Sequence, residues 1–175
     1  RLGRRGRRNR YVDDRCDSFK SASDGRVVGS KGGSSRQIGR TKGGLNTKLH
    51  AVCDDQGRPR LLVLSEGQVS DFKGAAYLLS YLPPARAFLA DRGYDADWLR
   101  EGLRARQMIP CIPGKKNRRV PVEYDKTLYK QRHKVEIMFG RLKDWRRIAM
   151  RYDRCAHTFL SAIALASAFI FYLKD

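Results

Sequence analysis

Apolar residues along this chain gather in short runs separated by turn formers, and the spacing inside each run predicts its element. Thr47–Cys53 and Pro59–Leu64 are strand-like runs divided by Asp54-Asp55-Gln56-Gly57, a good hairpin turn. Ala75, Leu78, Leu79 and Leu82 recur at helical spacing, which predicts a helix over Asp71–Leu82, stopped by Pro83-Pro84. Arg86–Ala90 is a short buried strand. Ala96–Arg106 reads as a helix, and Met108–Ile112 as another short strand closed by Pro113-Gly114. A long helix is expected over Lys126–Trp145. Thr158–Leu173 is apolar enough to suggest a membrane span, but it is shorter than the ~20 residues a bilayer crossing needs. Ser161 and Ser167 also interrupt it, so a fully buried terminal helix, closely packed through Ala162, Ala164, Ala166 and Ala168, is expected instead. Residues 17–44 are rich in Ser, Gly and Lys without a sustained period and read as an exposed loop. Residues 1–10 are basic and lack apolar periodicity, which fits a disordered segment or a tail lying on phosphate. The alternation of strands and helices implies right-handed crossovers and an α/β fold, a mixed sheet covered by helices. A chain of 175 residues suffices for one core.

The expected long helix carries four polar residues at the spacing Y-x2-R-x3-E-x6-K: Tyr129, Arg132, Glu136 and Lys143. At about 100° per residue they fall within an arc of roughly 60°. Val135, Met138, Phe139 and Leu142 occupy a neighbouring arc that would face the core. A carboxylate between two cations at the edge of a buried helix suits a metal ion that must meet a phosphodiester. Upstream, the strand Arg86–Ala90 ends in Asp91-Arg92-Gly93-Tyr94-Asp95. An Asp at the carboxyl end of a strand, followed by a Gly turn and a helix, stands where open α/β sheets place their ligands. With the downstream stripe, this favours a ligand role for Asp91, while Asp95 reads as the cap of the helix starting near Ala96.

These two segments resemble the signatures of bacterial insertion-sequence DDE transposases of the Y-R-E-K group, and the resemblance extends from about Gly29 to the C-terminus. It implies the ribonuclease H-like fold, a mixed sheet flanked by helices, with Asp91 as the second catalytic Asp and Glu136 as the catalytic Glu. The family's first carboxylate lies in an apolar-apolar-D-[AS]-T strand. Its best counterpart here is Tyr11-Val12-Asp13-Asp14-Arg15-Cys16, where the register favours Asp14 and Asp13 remains open. Arg15 and Cys16 replace the small residue and Thr, and arginines stand where the buried strand should begin. A degraded first strand is therefore expected, since a run of arginines cannot form a central buried strand. The corresponding division is a basic, disordered or degraded segment over 1–28 and a catalytic domain over 29–175, the C-terminal part of an N-terminally truncated transposase.

The resemblance implies metal-dependent DNA strand cleavage and strand transfer. Asp14, Asp91 and Glu136 would hold two Mg²⁺ (or Mn²⁺) ions, one for the attacking oxygen and one for the leaving oxygen. Arg132 and Lys143 would contact DNA phosphate or orient Glu136, unless they are ordinary solvated helix residues. Tyr129 would hydrogen-bond near the site or cover the core edge. Lys115, Lys116, Arg118 and Arg119 offer a phosphate track. His50 reads as a strand residue and Trp145 as packing.

Net charge sharpens the choice of partner. The chain carries +19, and residues 1–50 hold fourteen Lys and Arg against four Asp, about half of the excess. Such a balance points to a polyanion, most often nucleic acid. Cys16, Cys53, Cys111 and Cys155 are widely spaced, and His50, His133 and His157 show no ligand spacing. This argues against a zinc site or disulfide framework and fits a reducing cytosol. The expected partners are DNA, as element ends and target, and further copies of the chain assembled on it, in the bacterial cytoplasm at the nucleoid. No membrane is involved. Two other functions fit the same residues: an inactive relic that only binds DNA without sequence preference, and a ribonuclease H-like nuclease that cuts without joining.

Overall fold

The computed structural model describes residues 11–13, 17–20 and 36–173. Among them seven strands form one mixed sheet: β1 (Tyr11–Asp13), β2 (Asp17–Lys20), β3 (Gly39–Thr41), β4 (Gly44–Asp54), β5 (Pro59–Glu66), β6 (Ala87–Leu89) and β7 (Ile109–Cys111). The long strand β4 organises it. Thr47 pairs with Phe19 on one edge and with Glu66 on the other, both antiparallel. Farther along β4, Cys53 pairs with Val12, and Val12 in turn pairs in parallel with Leu89. Strand β6 then pairs in parallel with β7, giving the order β5-β4-β1-β6-β7. Pro110, which has no N–H to donate, lies in the last strand of this order, where a ladder bond is least missed.

Two differences from the sequence reading follow. The arginine run expected to degrade the first strand lies outside the described residues, while the backbone of Tyr11–Asp13 directly after it is paired on both edges, between β4 and β6. Strands β1 and β2 also fall inside residues 1–28, so that part of the basic segment belongs to the sheet. Likewise the expected exposed loop over 17–44 contains β2 and β3, which pair with β4. Polar strands of this kind escape periodicity because pairing with a long neighbour holds them in place.

Side chains along β4 and β6 alternate between two helical layers. Val52, Phe88 and Ala90 pack with Ala75 and Leu78 of α1 (Asp71–Tyr81) and with Leu99 and Leu103 of α2 (Asp97–Ala105). Leu49, Ala51, Cys53, Ala87 and Leu89 face the other way. Their partners come from α4 (His133–Lys143) and α6 (Ala156–Ala168), with the short α3 (Lys126–Tyr129) and α5 (Arg146–Ala149) alongside. The four apolar residues expected to face the core, Val135, Met138, Phe139 and Leu142, are all buried.

The hairpin turn forms as its residues dictate. Asp54 Oδ1 accepts from the N–H groups of Gln56 and Arg58, each at 3.0 Å. Gly57 takes a φ of +78°, which a side chain would strain.

Helix α6 departs from expectation. It was expected to be fully buried, yet only one face is: Phe159, Ile163 and Ala166 are buried, whereas Leu165 is 72% exposed and Leu173, in the π-helical turn Phe169–Leu173 that continues it, 73%. The helix Ala156–Leu173 is long and apolar enough to cross a membrane by length and composition, but its buried face is part of the core beside β5. An outer-layer helix meets neighbours on one side only, so hydrophobicity all round does not guarantee burial. Trp145 packs edge-on against Phe169, with ring centroids 6.0 Å apart.

His50 is a core residue of β4. Its Nε2 bonds the Ser65 hydroxyl at 2.8 Å, and its ring lies so close to α1 that a Cβ on Gly74 would stand 2.2 Å from it. Burial lowers its pKa to about 4; Asp71 opposes this and Lys48 adds to it. The unfolded chain therefore binds a proton below pH 6.5 that the folded chain refuses until about pH 4. Stability should fall as pH drops through that window, by about 3 kcal/mol in all. In denaturant unfolding from pH 7 to 4, His50→Gln is expected to lose this part of the acid dependence. Parallel profiles for variant and parent would show that the imidazole does not resist protonation.

Candidate active site

Strand β6 delivers Asp91. Ala87, Phe88, Leu89 and Ala90 are buried, and the chain emerges from the sheet at the next residue. Asp91 Oδ1 accepts the N–H of Gly93 at 2.7 Å and caps the 3₁₀ turn Arg92–Tyr94. A Cβ on Gly93 would stand 2.8 Å from that oxygen, so glycine permits the close approach. The buried Tyr94 ring anchors the turn. The cap expected of Asp95 on the helix starting near Ala96 is not made, and the cap that Asp91 makes belongs to the 3₁₀ turn before it. Helix α2 begins after Ala96 with no side-chain cap, and Asp95 is instead buried and paired with Arg100.

Asp91 opens onto a cleft of about 300 Å³, lined also by Arg92, Pro113, Tyr124, Tyr129 and Arg132. The Tyr124 and Tyr129 rings meet edge to face at 5.4 Å. The Arg132 guanidinium stands 5.9 Å from the Tyr129 ring centroid, and its Nη2 donates to Glu136 Oε1 at 2.6 Å. Arg132 therefore joins the cleft to Glu136, which is not itself a lining residue. Burial pushes the Tyr129 phenol above its ordinary pKa; Arg132 opposes this, while Asp91 and Tyr124 reinforce it. At neutral pH the phenol keeps its proton.

The expected helix over Lys126–Trp145 is tightened locally: a 3₁₀ turn at Lys130–Arg132 lies between α3 and α4, with the backbone right-handed helical at both junctions, and α4 ends at Lys143. His133 Nδ1 bonds the Lys130 carbonyl at 2.6 Å, a group that a continuous α-helix would satisfy from residue 134. A 3₁₀ turn advances about 120° per residue, so Tyr129 is rotated away from the stripe that uniform winding would give. The turn and α4 both lie beside β1.

The family model described as "Transposase DDE domain" matches residues 21–171. The chain belongs to this family. It is 38% identical over 130 residues to a Brucella ovis protein assigned as the transposase for insertion sequence element IS6501, covering 72% of this chain and 98% of that one. It is 31% identical over 141 residues to a Burkholderia cepacia protein assigned as the transposase for insertion sequence element IS402, covering 70% of this chain and 64% of that one.

Within this transposase domain, Asp91 and Glu136 offer the hard carboxylate oxygens that a divalent ion such as Mg²⁺ prefers. Asp14, the expected third ligand, lies outside the described residues. Among the described residues no group of three or more His, Cys, Asp or Glu side chains is gathered to hold a metal ion. The donor chemistry of Asp91 and Glu136 therefore fits a metal, but a complete set would need a ligand from elsewhere. Strand β1 bears on this. It runs parallel to β6 with Val12 opposite Leu89, so its carboxyl end lies at the edge of the sheet where Asp91 emerges.

The remaining expected site residues are dispersed. Lys143 is exposed in the last turn of α4. The basic stretch is not a uniform track. Lys115 Nζ stands 4.3 Å from the Phe72 ring centroid, and Arg118 is paired with Asp95 and Asp97, while Lys116 and Arg119 are exposed. Arg92 and Tyr124 line the cleft without having been singled out. Arg92 stands beside Asp91 in the sequence and could have been found there, whereas nothing local marks Tyr124.

Proposed function

We propose that this chain is the catalytic domain of an insertion-sequence transposase of the Y-R-E-K group, with a ribonuclease H-like sheet, that cuts DNA strands and joins them to a target. The observation that carries the reading is the emergence of Asp91 from β6 into a cleft shared with Tyr129 and Arg132, with Arg132 paired to Glu136. The sheet order β5-β4-β1-β6-β7 and the emergence of β1 beside Asp91 support it, as do the relatives' names.

Asp91 and Glu136, with Asp14 as the third ligand, would hold two Mg²⁺ or Mn²⁺ ions. Bound there, the metal supplies charge stabilisation to the attacking and leaving oxygens of the phosphodiester. The protein's own groups do the rest. Arg132 holds Glu136 in place and adds positive charge at the cleft, where a phosphate would lie. Tyr129, protonated, donates a hydrogen bond to a phosphate oxygen. The cap at Gly93 fixes the Asp91 carboxylate at the strand end, so that little reorganisation is needed on binding. The +19 charge draws DNA to this surface.

The test is incubation of the protein with supercoiled DNA carrying the ends of its own element, in Mg²⁺ or Mn²⁺ and in chelator. Metal-dependent nicks at the element ends, with joined products, are expected. Cutting without joining would make the protein a nuclease. Binding with no cutting in either metal would make it a DNA-binding module.

A further inference from the structure

The basic loop 113–119 borders the Asp91 cleft through Pro113, and one buried carboxylate holds it there. Asp95 Oδ1 accepts from Arg100 Nε at 3.0 Å, from Arg100 Nη2 at 2.8 Å and from Arg118 Nη1 at 3.0 Å. Asp95 Oδ2 accepts the backbone N–H of Lys115 at 2.8 Å. Arg100 Nη2 also donates to the carbonyl of Ile112, at the start of the loop, at 2.8 Å. The far nitrogen of Arg118 is taken by Asp97, and its Nε donates to the Val120 carbonyl at 3.1 Å. The Asp95 side chain is 1% exposed and that of Arg100 2%. Burying such a cluster is costly, and a well-packed apolar group often serves stability as well.

We propose that Asp95 is a positioning residue for DNA: it fastens the loop beside the cleft so that Lys116 and Arg119 meet backbone phosphates, while Arg118 is committed to the anchor. The proposal deepens the transposase reading and rests on it. Three features carry it. Asp95 follows Asp91 by four residues across one 3₁₀ turn, so the anchor and the cleft share a short rigid link. Every guanidinium nitrogen of Arg118 with a described bond points to the protein, which leaves Lys116 and Arg119 as the loop's outward cations. Gly114 lies against the anchor, where a Cβ would be in ordinary contact with Arg118 Cδ at 3.6 Å and with Asp95 Oδ2 at 4.0 Å.

The test is the salt dependence of duplex DNA affinity, measured in chelator so that cleavage plays no part. Removing two phosphate contacts by Lys116→Ala with Arg119→Ala should lower the slope of log affinity against log salt by about 1.8. Asp95→Asn removes a negative charge, and charge alone would tighten binding. The expected result is the opposite: a slope lowered by a similar amount, with no further fall when Lys116→Ala and Arg119→Ala are added. Arg118→Gln should behave like Asp95→Asn, and it decides the matter if Asp95→Asn does not fold. Additive losses, or an unchanged slope in Asp95→Asn and Arg118→Gln, would overturn the proposal. If the parent protein binds no DNA at all, the transposase reading fails instead, and the two failures are told apart by that measurement.

Discussion

Asp91→Asn and Glu136→Gln are each expected to reduce metal-dependent DNA strand cleavage by on the order of 10³-fold or more. Each change preserves shape and removes one negative oxygen donor, so the loss would report the charge rather than the fold. Asp91 is the more demanding case, because its carboxylate also caps the turn at Gly93. An amide oxygen can still accept that hydrogen bond, which should keep the turn intact. Glu101→Gln, exposed on α2 and outside the cleft, is the comparison and should retain cleavage to within a few-fold. A second readout does not need turnover: Mn²⁺ binding followed by calorimetry should weaken in both variants and persist in Glu101→Gln. Full activity in Asp91→Asn would remove it from the site, and loss of activity in all three with unchanged Mn²⁺ binding would do the same for both carboxylates.

Affinity for duplex DNA is expected to collapse with salt. If the charge of +19 engages six to ten phosphates, affinity should fall by roughly 10³ to 10⁵ between 50 and 200 mM salt, with little dependence on sequence. The exposed cations near the cleft and the loop, Arg92, Lys116 and Arg119, provide part of that contact. Titrations on unrelated duplexes across a salt series measure the slope directly. A flat response, or no binding at low salt, would count against any nucleic-acid role for the chain.

How much of this was legible in the residues depends on whether a feature is local. The apolar runs of β4, β5 and β6 and the helices α1 and α2 could be read directly, because burial on a pleated or helical surface imposes a period on the sequence. The core face of α4 was equally plain, since Val135, Met138, Phe139 and Leu142 repeat at helical spacing. Asp91 was legible for a related reason: an apolar run followed by an acid and a glycine marks the end of a buried strand. Where the reading failed, a distant partner decided. Strands β2 and β3 have no pattern of their own and exist by pairing with β4. The 3₁₀ turn in the long helix comes with a bond from the His133 ring to the Lys130 carbonyl, which spacing alone does not disclose.

Asp95 shows the division most clearly. From sequence it was an ordinary candidate cap; in the fold it is a buried anchor for residues some twenty positions away, Lys115 and Arg118. Tyr124 likewise reaches the cleft only because the chain after β7 returns to it. By itself the sequence determined the α/β class, the identity of most core residues, the strong positive charge and the placement of Asp91 and Glu136 on a strand end and a helix. Only the tertiary structure decided which strands joined the sheet, which face of α6 was buried, and which cations were committed to ion pairs. Each of those depends on contacts between segments far apart in the chain, and no local period encodes them.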